Sequence, residues 1–160
     1  MDSRRLWARV DNRLVHGQVV EAWLPYSKAN VMFLANDELF EDQLRQEIIK
    51  LAIPSGVDLI FTQIAEAAQT MHGYCQQHVC SQVFLLFATC PDAKKALEFG
   101  LHFSTLNIGN IHYEPGKVQV CDHIALSHED KSCLRFFQEQ GVSLDFRCIP
   151  SSEVHLKRVW

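Results

Sequence analysis

The residues best suited to chemistry are gathered in one short run, Arg9-Val10-Asp11-Asn12-Arg13-Leu14-Val15-His16-Gly17-Gln18-Val19. A neutral imidazole is a nucleophile. Guanidinium forks match phosphate oxygens, and charge-assisted hydrogen bonds of this kind contribute about 1.5–3 kcal/mol each. Together they suit a side chain that takes a phosphoryl group, holds it briefly and passes it on, with His16 as the acceptor. Arg13, three residues earlier, is the better placed arginine for direct contact, and Arg9 is a second phosphate ligand. Asp11 can orient Arg13 or the loop backbone, or bond one ring nitrogen of His16 so that the other attacks.

Such a group needs a rigid mount. Leu6 to Val10 reads as a first strand, and a helix beginning near Gly17 presents Val19, Val20, Trp23 and Leu24 to the core. His16 then lies on the loop at the carboxyl end of a strand, where open α/β sheets bind ligands. The amides of Leu14, Val15, Gly17 and Gln18 are unpaired there, and the helix dipole favours an anion. Gly17 permits close backbone approach or a positive φ. By themselves these residue types also fit a satisfied histidine and solvated arginines, so both readings stand at this level.

Short apolar runs alternate with helical patterns along the whole chain, the signature of an α/β fold with a largely parallel sheet. Val31 to Ala35, Val57 to Phe61, Val83 to Ala88 and Thr105 to Ile108 read as further strands. Val118 to Leu126 contains a sixth, and Ser143 to Ile149 gives a seventh, at an edge. Asn36 caps the second helix, with Asp37 and Glu38 in its first turn. Phe40, Leu44, Ile48 and Leu51 recur at helical spacing as its apolar face, and Glu41 and Arg45 are spaced to pair. Pro54-Ser55-Gly56 ends that helix; Pro91 and Gly100 bound another, and a Ser127–Asp130 capping box and Gly141 bound the last.

The 160 residues show no repeat or linker and are read as one domain spanning 1–160. Charged residues are 21 % and hydrophobic residues 48 %, ordinary for a globular chain. A net charge of −4 argues against bulk nucleic-acid binding. No apolar run approaches the roughly 18 residues of a membrane span, and Met1 to Arg9 lacks the apolar core of a signal peptide. The expected location is cytoplasmic. The six cysteines are scattered among apolar residues, which favours free buried thiols over a disulfide framework. His72, Cys75, His78 and Cys80 fall within nine residues but lack paired metal-ligand spacing, so no metal site is expected. Neither Gly-x-Gly-x-x-Gly nor Gly-x-x-x-x-Gly-Lys-Ser/Thr occurs, which counts against a nucleotide enzyme.

The run from Arg9 to Val19 resembles the active-site loop of the IIB subunits of the mannose/sorbose-class sugar phosphotransferase system. Trp23, Ala35-Asn36-Asp37-Glu38, Leu106-Asn107-Ile108-Gly109-Asn110-Ile111-His112-Tyr113 and Val142 to Pro150 extend the likeness, and Asn36-Asp37-Glu38 and Gly109 to Tyr113 look most like the N-acetylgalactosamine/galactosamine branch. The resemblance implies an open, twisted, mainly parallel seven-stranded sheet with helices on both faces. It also implies that His16 accepts a phosphoryl group from a histidine of a IIA partner, assisted by Arg13. The group then passes to a hexose or amino sugar carried by the membrane subunits IIC and IID. The intermediate is a covalent phosphohistidine, with no separate cofactor, and the subunit works at the membrane transporter's periphery. Gly109 and Asn110 are expected on a second loop near His16, and a homodimer is compatible with the sequence. Asn12 stands where many relatives have Asp, and Phe87 to Pro91 lacks a lysine that relatives often carry. A regulatory phosphocarrier using phospho-His16 for signalling is the alternative reading.

Overall fold

The computed structural model describes residues 5–157 and 160; the N-terminal reading of residues 1–4 lies outside them. Six parallel strands form one sheet in the order β3-β2-β4-β1-β5-β8. They are β1 (Arg5–Asp11), β2 (Val31–Ala35), β3 (Asp58–Thr62), β4 (Gln82–Phe87), β5 (Thr105–Asn110) and β8 (Ser143–Asp145). A separate antiparallel ribbon pairs β6 (Val118–Cys121) with β7 (Ile124–Leu126). The α/β expectation holds, but the described residues form eight strands instead of seven. The run 118–126 folds on itself at Asp122-His123, a turn that apolar patterning does not reveal.

Strand β1 sits between β4 and β5, so both its edges are hydrogen-bonded within the sheet. Ala8 and Val10 enter one core with Phe33, Leu85, Ile108 and Phe137. Trp7, Arg9 and Asp11 alternate with them and face the opposite side, where Trp23, Leu34, Leu39 and Phe84 pack. Helices α4 (Ala67–Gln77), α5 (Cys90–Glu98) and α6 (His128–Glu139) complete the scaffold. Thr89 caps α5, and the Ser127–Asp130 box caps α6 as its sequence requires. No helix among the described residues is long and apolar enough to cross a membrane.

Three local expectations are corrected. The second helix breaks into α2 (Asp37–Glu41) and α3 (Gln43–Ala52) at Asp42, whose side chain caps α3 by accepting from the Arg45 amide. The break separates Glu41 from Arg45, and no ion pair joins them among the described residues. The inward contacts are Leu39 and Ile49, whereas Leu44, Ile48 and Leu51 are 74 %, 60 % and 88 % exposed. The segment carries apolar residues on both sides, and periodicity alone chose the outer set. Cys75 and Cys80 form a disulfide between the end of α4 and the approach to β4, so these two are not free thiols. Finally, only 143–145 of the seventh run join the sheet; 146–149 leave it to pass beneath the first helical turn.

Candidate functional site

Strand β1 ends in a tight turn whose geometry is set by Asp11. The Leu14 amide donates to the Asp11 carbonyl at 2.9 Å, and the Arg13 amide donates to Asp11 Oδ1 at 3.0 Å. Leu14 adopts φ +55°, a left-handed conformation that costs a branched residue of order 1–3 kcal/mol. Its side chain is buried in the core, which holds the turn. Two expectations change here. Leu14 has no amide to offer an anion, and the positive φ belongs to Leu14, not to Gly17.

The chain then enters a π-helical turn, Val19–Trp23, continued by α1 (Leu24–Ser27). The Val19 and Val20 amides close onto the His16 carbonyl. Among the described residues, no backbone acceptor faces the amides of Val15, His16, Gly17 or Gln18. These four consecutive donors lie at a helix start, where partial positive charge accumulates.

Asp11 is fully buried and joins the site's charges. Its Oδ2 accepts from Arg9 Nη2 at 2.9 Å and from His16 Nε2 at 2.7 Å. Burial alone would raise the Asp11 carboxyl. The His16 hydrogen bond and the Arg9 charge outweigh it and hold the group below the usual carboxylate range. An ionised carboxylate only accepts, so His16 donates from Nε2. Its Nδ1 is left without a partner among the described residues, and the side chain is 14 % exposed.

The two arginines part company. Arg13 is 46 % exposed at the mouth, with Nη2 donating to Gln18 Oε1 at 3.0 Å and Nε 3.7 Å from Asp11 Oδ1. Asn110, oriented to donate to the His123 carbonyl at 3.1 Å, accepts from Arg13 Nε at 3.0 Å. Because Gln18 and Asn110 are neutral acceptors, they aim Arg13 without cancelling its charge. Arg9, expected as a phosphate ligand, is instead completely buried. It donates to Asn107 Oδ1, Asp11 and the Cys148 carbonyl, and its Cζ stacks 5.0 Å from the Trp23 ring centroid. The alternation of strand β1 turns it inward, beneath the loop.

The second segment meets the His16 loop at Asn12. The Asn12 amide donates to the Asn110 carbonyl at 3.0 Å, and the Asn12 side chain meets His112. Gly109 and Asn110, expected on a second loop, lie instead within β5, as does Asn107. Sequence reasoning missed the supporting roles of Asn107, Trp23 and Cys148. Trp23 Nε1 donates to the Cys148 carbonyl at 2.8 Å, and Cys148 Sγ donates to Gln18 Oε1 at 3.4 Å. One signal was available: an arginine between Ala8 and Val10 in a buried strand demands a same-face partner, and Asp11 is two residues on.

The family model for the PTS system sorbose subfamily IIB component matches residues 5–157. The chain belongs to this family. The sorbose-specific EIIB component of Klebsiella pneumoniae is 32 % identical over 144 residues, covering 90 % of this chain and 87 % of the relative. The solved IIB domain of the sorbose permease from the same organism superposes with a TM-score of 0.84 at 31 % identity, covering 93 % and 91 % of the two chains. An N-acetylgalactosamine IIB component from Streptococcus pyogenes gives a TM-score of 0.87 at 30 % identity, covering 96 % and 93 %. This IIB component therefore acts in phosphoryl transfer during sugar uptake.

Proposed function

We propose that His16 is the phosphoryl carrier of this IIB component and that Nδ1 is the reacting atom. The supporting observation is the 2.7 Å contact between His16 Nε2 and Asp11 Oδ2, which places the proton on Nε2 and leaves the Nδ1 lone pair directed away from the carboxylate. In the forward step Nδ1 attacks phosphorus in line. The N–P bond to a phosphohistidine of the IIA partner breaks as the new one forms, and the donor imidazole leaves. Charge spreads over three equatorial oxygens, so catalysis is mainly positioning and electrostatics. The amides of Val15, Gly17 and Gln18, with the Arg13 guanidinium, supply that stabilisation.

Once His16 is phosphorylated, its ring carries positive charge, and the Asp11 carboxylate behind Nε2 stabilises it. The second step reverses the geometry. A hydroxyl of a hexose or amino sugar held by IIC and IID attacks phosphorus, and the electron pair returns to Nδ1. The activity is that of a protein-Nπ-phosphohistidine–sugar phosphotransferase, working in the cytoplasm against the membrane subunits.

Incubation with phosphoenolpyruvate, the general phosphocarriers and a IIA protein tests this reading. The wild type should acquire an acid-labile, base-stable phosphoryl group, and His16→Gln should acquire none. Label retained by His16→Gln would place the carrier elsewhere.

A further inference from the structure

The least expected feature of the site is a buried cation that never meets solvent. Arg9 is 0 % exposed, sits on β1 in register with Asn107 of β5, and packs over Trp23. The β1–β5 register shifts between Val10 and Asp11, and Gly109 occupies the shift. A Cβ built on Gly109 would overlap the Cζ and both terminal nitrogens of Arg9. Gly109 does not have a positive φ, so backbone freedom is not why a glycine stands there. The space its missing side chain leaves is filled by the guanidinium.

We infer that Arg9 and Gly109 form one positioning unit: the glycine admits the guanidinium, and the guanidinium holds the Asp11 carboxylate in the pose that selects the Nε2–H tautomer of His16. This inference rests on the proposed role of His16 and adds the machinery behind it. Arg9 touches no reacting atom, so it is a positioning residue.

Four contacts fix the guanidinium. Asn107 Oδ1 accepts from Nη1, while Asp11 Oδ2 and the Cys148 carbonyl accept from Nη2 at 2.9 and 3.3 Å; the Trp23 face covers the plane. Asn107 is itself anchored, donating to the carbonyls of Asp145 and Arg147 at 3.2 and 3.0 Å. The buried Nε has no acceptor among the described residues. The fold bears that cost, and burial also pulls the Arg9 guanidinium below its ordinary range, against the pull of Asp11. A cation buried at this cost for the sheet alone would be replaceable by an apolar side chain. What an apolar side chain cannot supply is a fork that fixes Oδ2 between Arg9 and His16.

Long-range 1H–15N NMR of 15N-labelled protein, at a pH where His16 is neutral, reads the tautomer without any transfer assay. Wild-type His16 should be overwhelmingly Nε2-protonated. In Gly109→Ala and in Arg9→Lys the Nε2–H to Nδ1–H ratio should fall about tenfold or more, as one charge-assisted bond is lost. Phosphoryl transfer should fall about 10–100-fold in kcat, with KM for the IIA donor little changed. The double variant should be no worse than Arg9→Lys, because the slimmer lysine clears the added methyl. A wild-type tautomer ratio in either folded single variant, additive losses in the double, or an Nδ1-protonated wild type would overturn the inference. The wild-type measurement stands even if both variants fail to fold. A correct tautomer pattern in a protein that takes no phosphate on His16 would instead refute the function proposal alone.

Discussion

His16 Nε2 and Asp11 Oδ2 lie 2.7 Å apart, and the carboxylate is buried while the imidazole reaches the surface. The pair divides the ring into a tethered nitrogen and a free one. Removing the charge but keeping the shape should reveal that division. Asp11→Asn is expected to fold yet lose up to about 10⁴-fold in transfer rate, the scale seen when an orienting carboxylate behind a histidine becomes an amide. Single-turnover transfer from phosphorylated IIA would measure it, and a rate within threefold of wild type would remove Asp11 from the mechanism.

Acid stability follows from the same residue. The hydrogen bond from His16, the Arg9 charge and the Arg13 backbone amide outweigh burial and hold the Asp11 carboxyl below the unfolded value of about 3.9. A depressed folded pKa contributes stability that is complete above the unfolded value and is lost as pH falls through the folded one. Denaturant titrations between pH 7 and pH 2 should therefore show a shallower acid limb in Asp11→Asn than in wild type. Parallel limbs would mean that Asp11 is not preferentially ionised in the native state.

Arg13 should separate function from folding. Its guanidinium is 46 % exposed, so Arg13→Ala is expected to shift stability by no more than about 0.5 kcal/mol. Transfer should nevertheless fall by about 10²-fold or more, the scale of losing one oxyanion donor. Thermal melts and transfer kinetics on one preparation check both parts.

How much of this was legible in the sequence differs by element. Val31 to Ala35 was read to the residue, because an uninterrupted apolar run between two helical patterns leaves one interpretation. The His16 loop was placed correctly because its charges fall between a strand and a helix start. The fate of Arg9 was not legible, since it depends on which face of β1 meets Trp23 and on the register with Asn107, both set by distant strands. Helix α3 misled for a different reason. Two apolar stripes share it, and only the covering of β2 and β3 chooses between them.

That correction has its own check. Leu44, Ile48 and Leu51 face outward, so replacing any of them with Gln should change stability by less than about 0.5 kcal/mol. Ile49→Ala, on the inner face, should cost about 2–5 kcal/mol. Equal losses at Ile48 and Ile49 would reinstate the outer stripe as core.

The disulfide offers another. Cys75 and Cys80 close a loop five residues apart in sequence, for which chain entropy gives about 2 kcal/mol. Cys75→Ser should lower the denaturant midpoint accordingly under oxidising conditions and have no such effect in reductant. An identical loss in both conditions would mean that the bridge does not form.

The central claim is that phosphorus bonds to Nδ1 of His16. The most direct test is 31P–15N correlation on the 15N-labelled, freshly phosphorylated protein. The expected result is one phosphoramidate whose phosphorus couples to Nδ1 of His16 while Nε2 keeps its proton. Coupling to Nε2, or to a nitrogen of any other histidine, would contradict it.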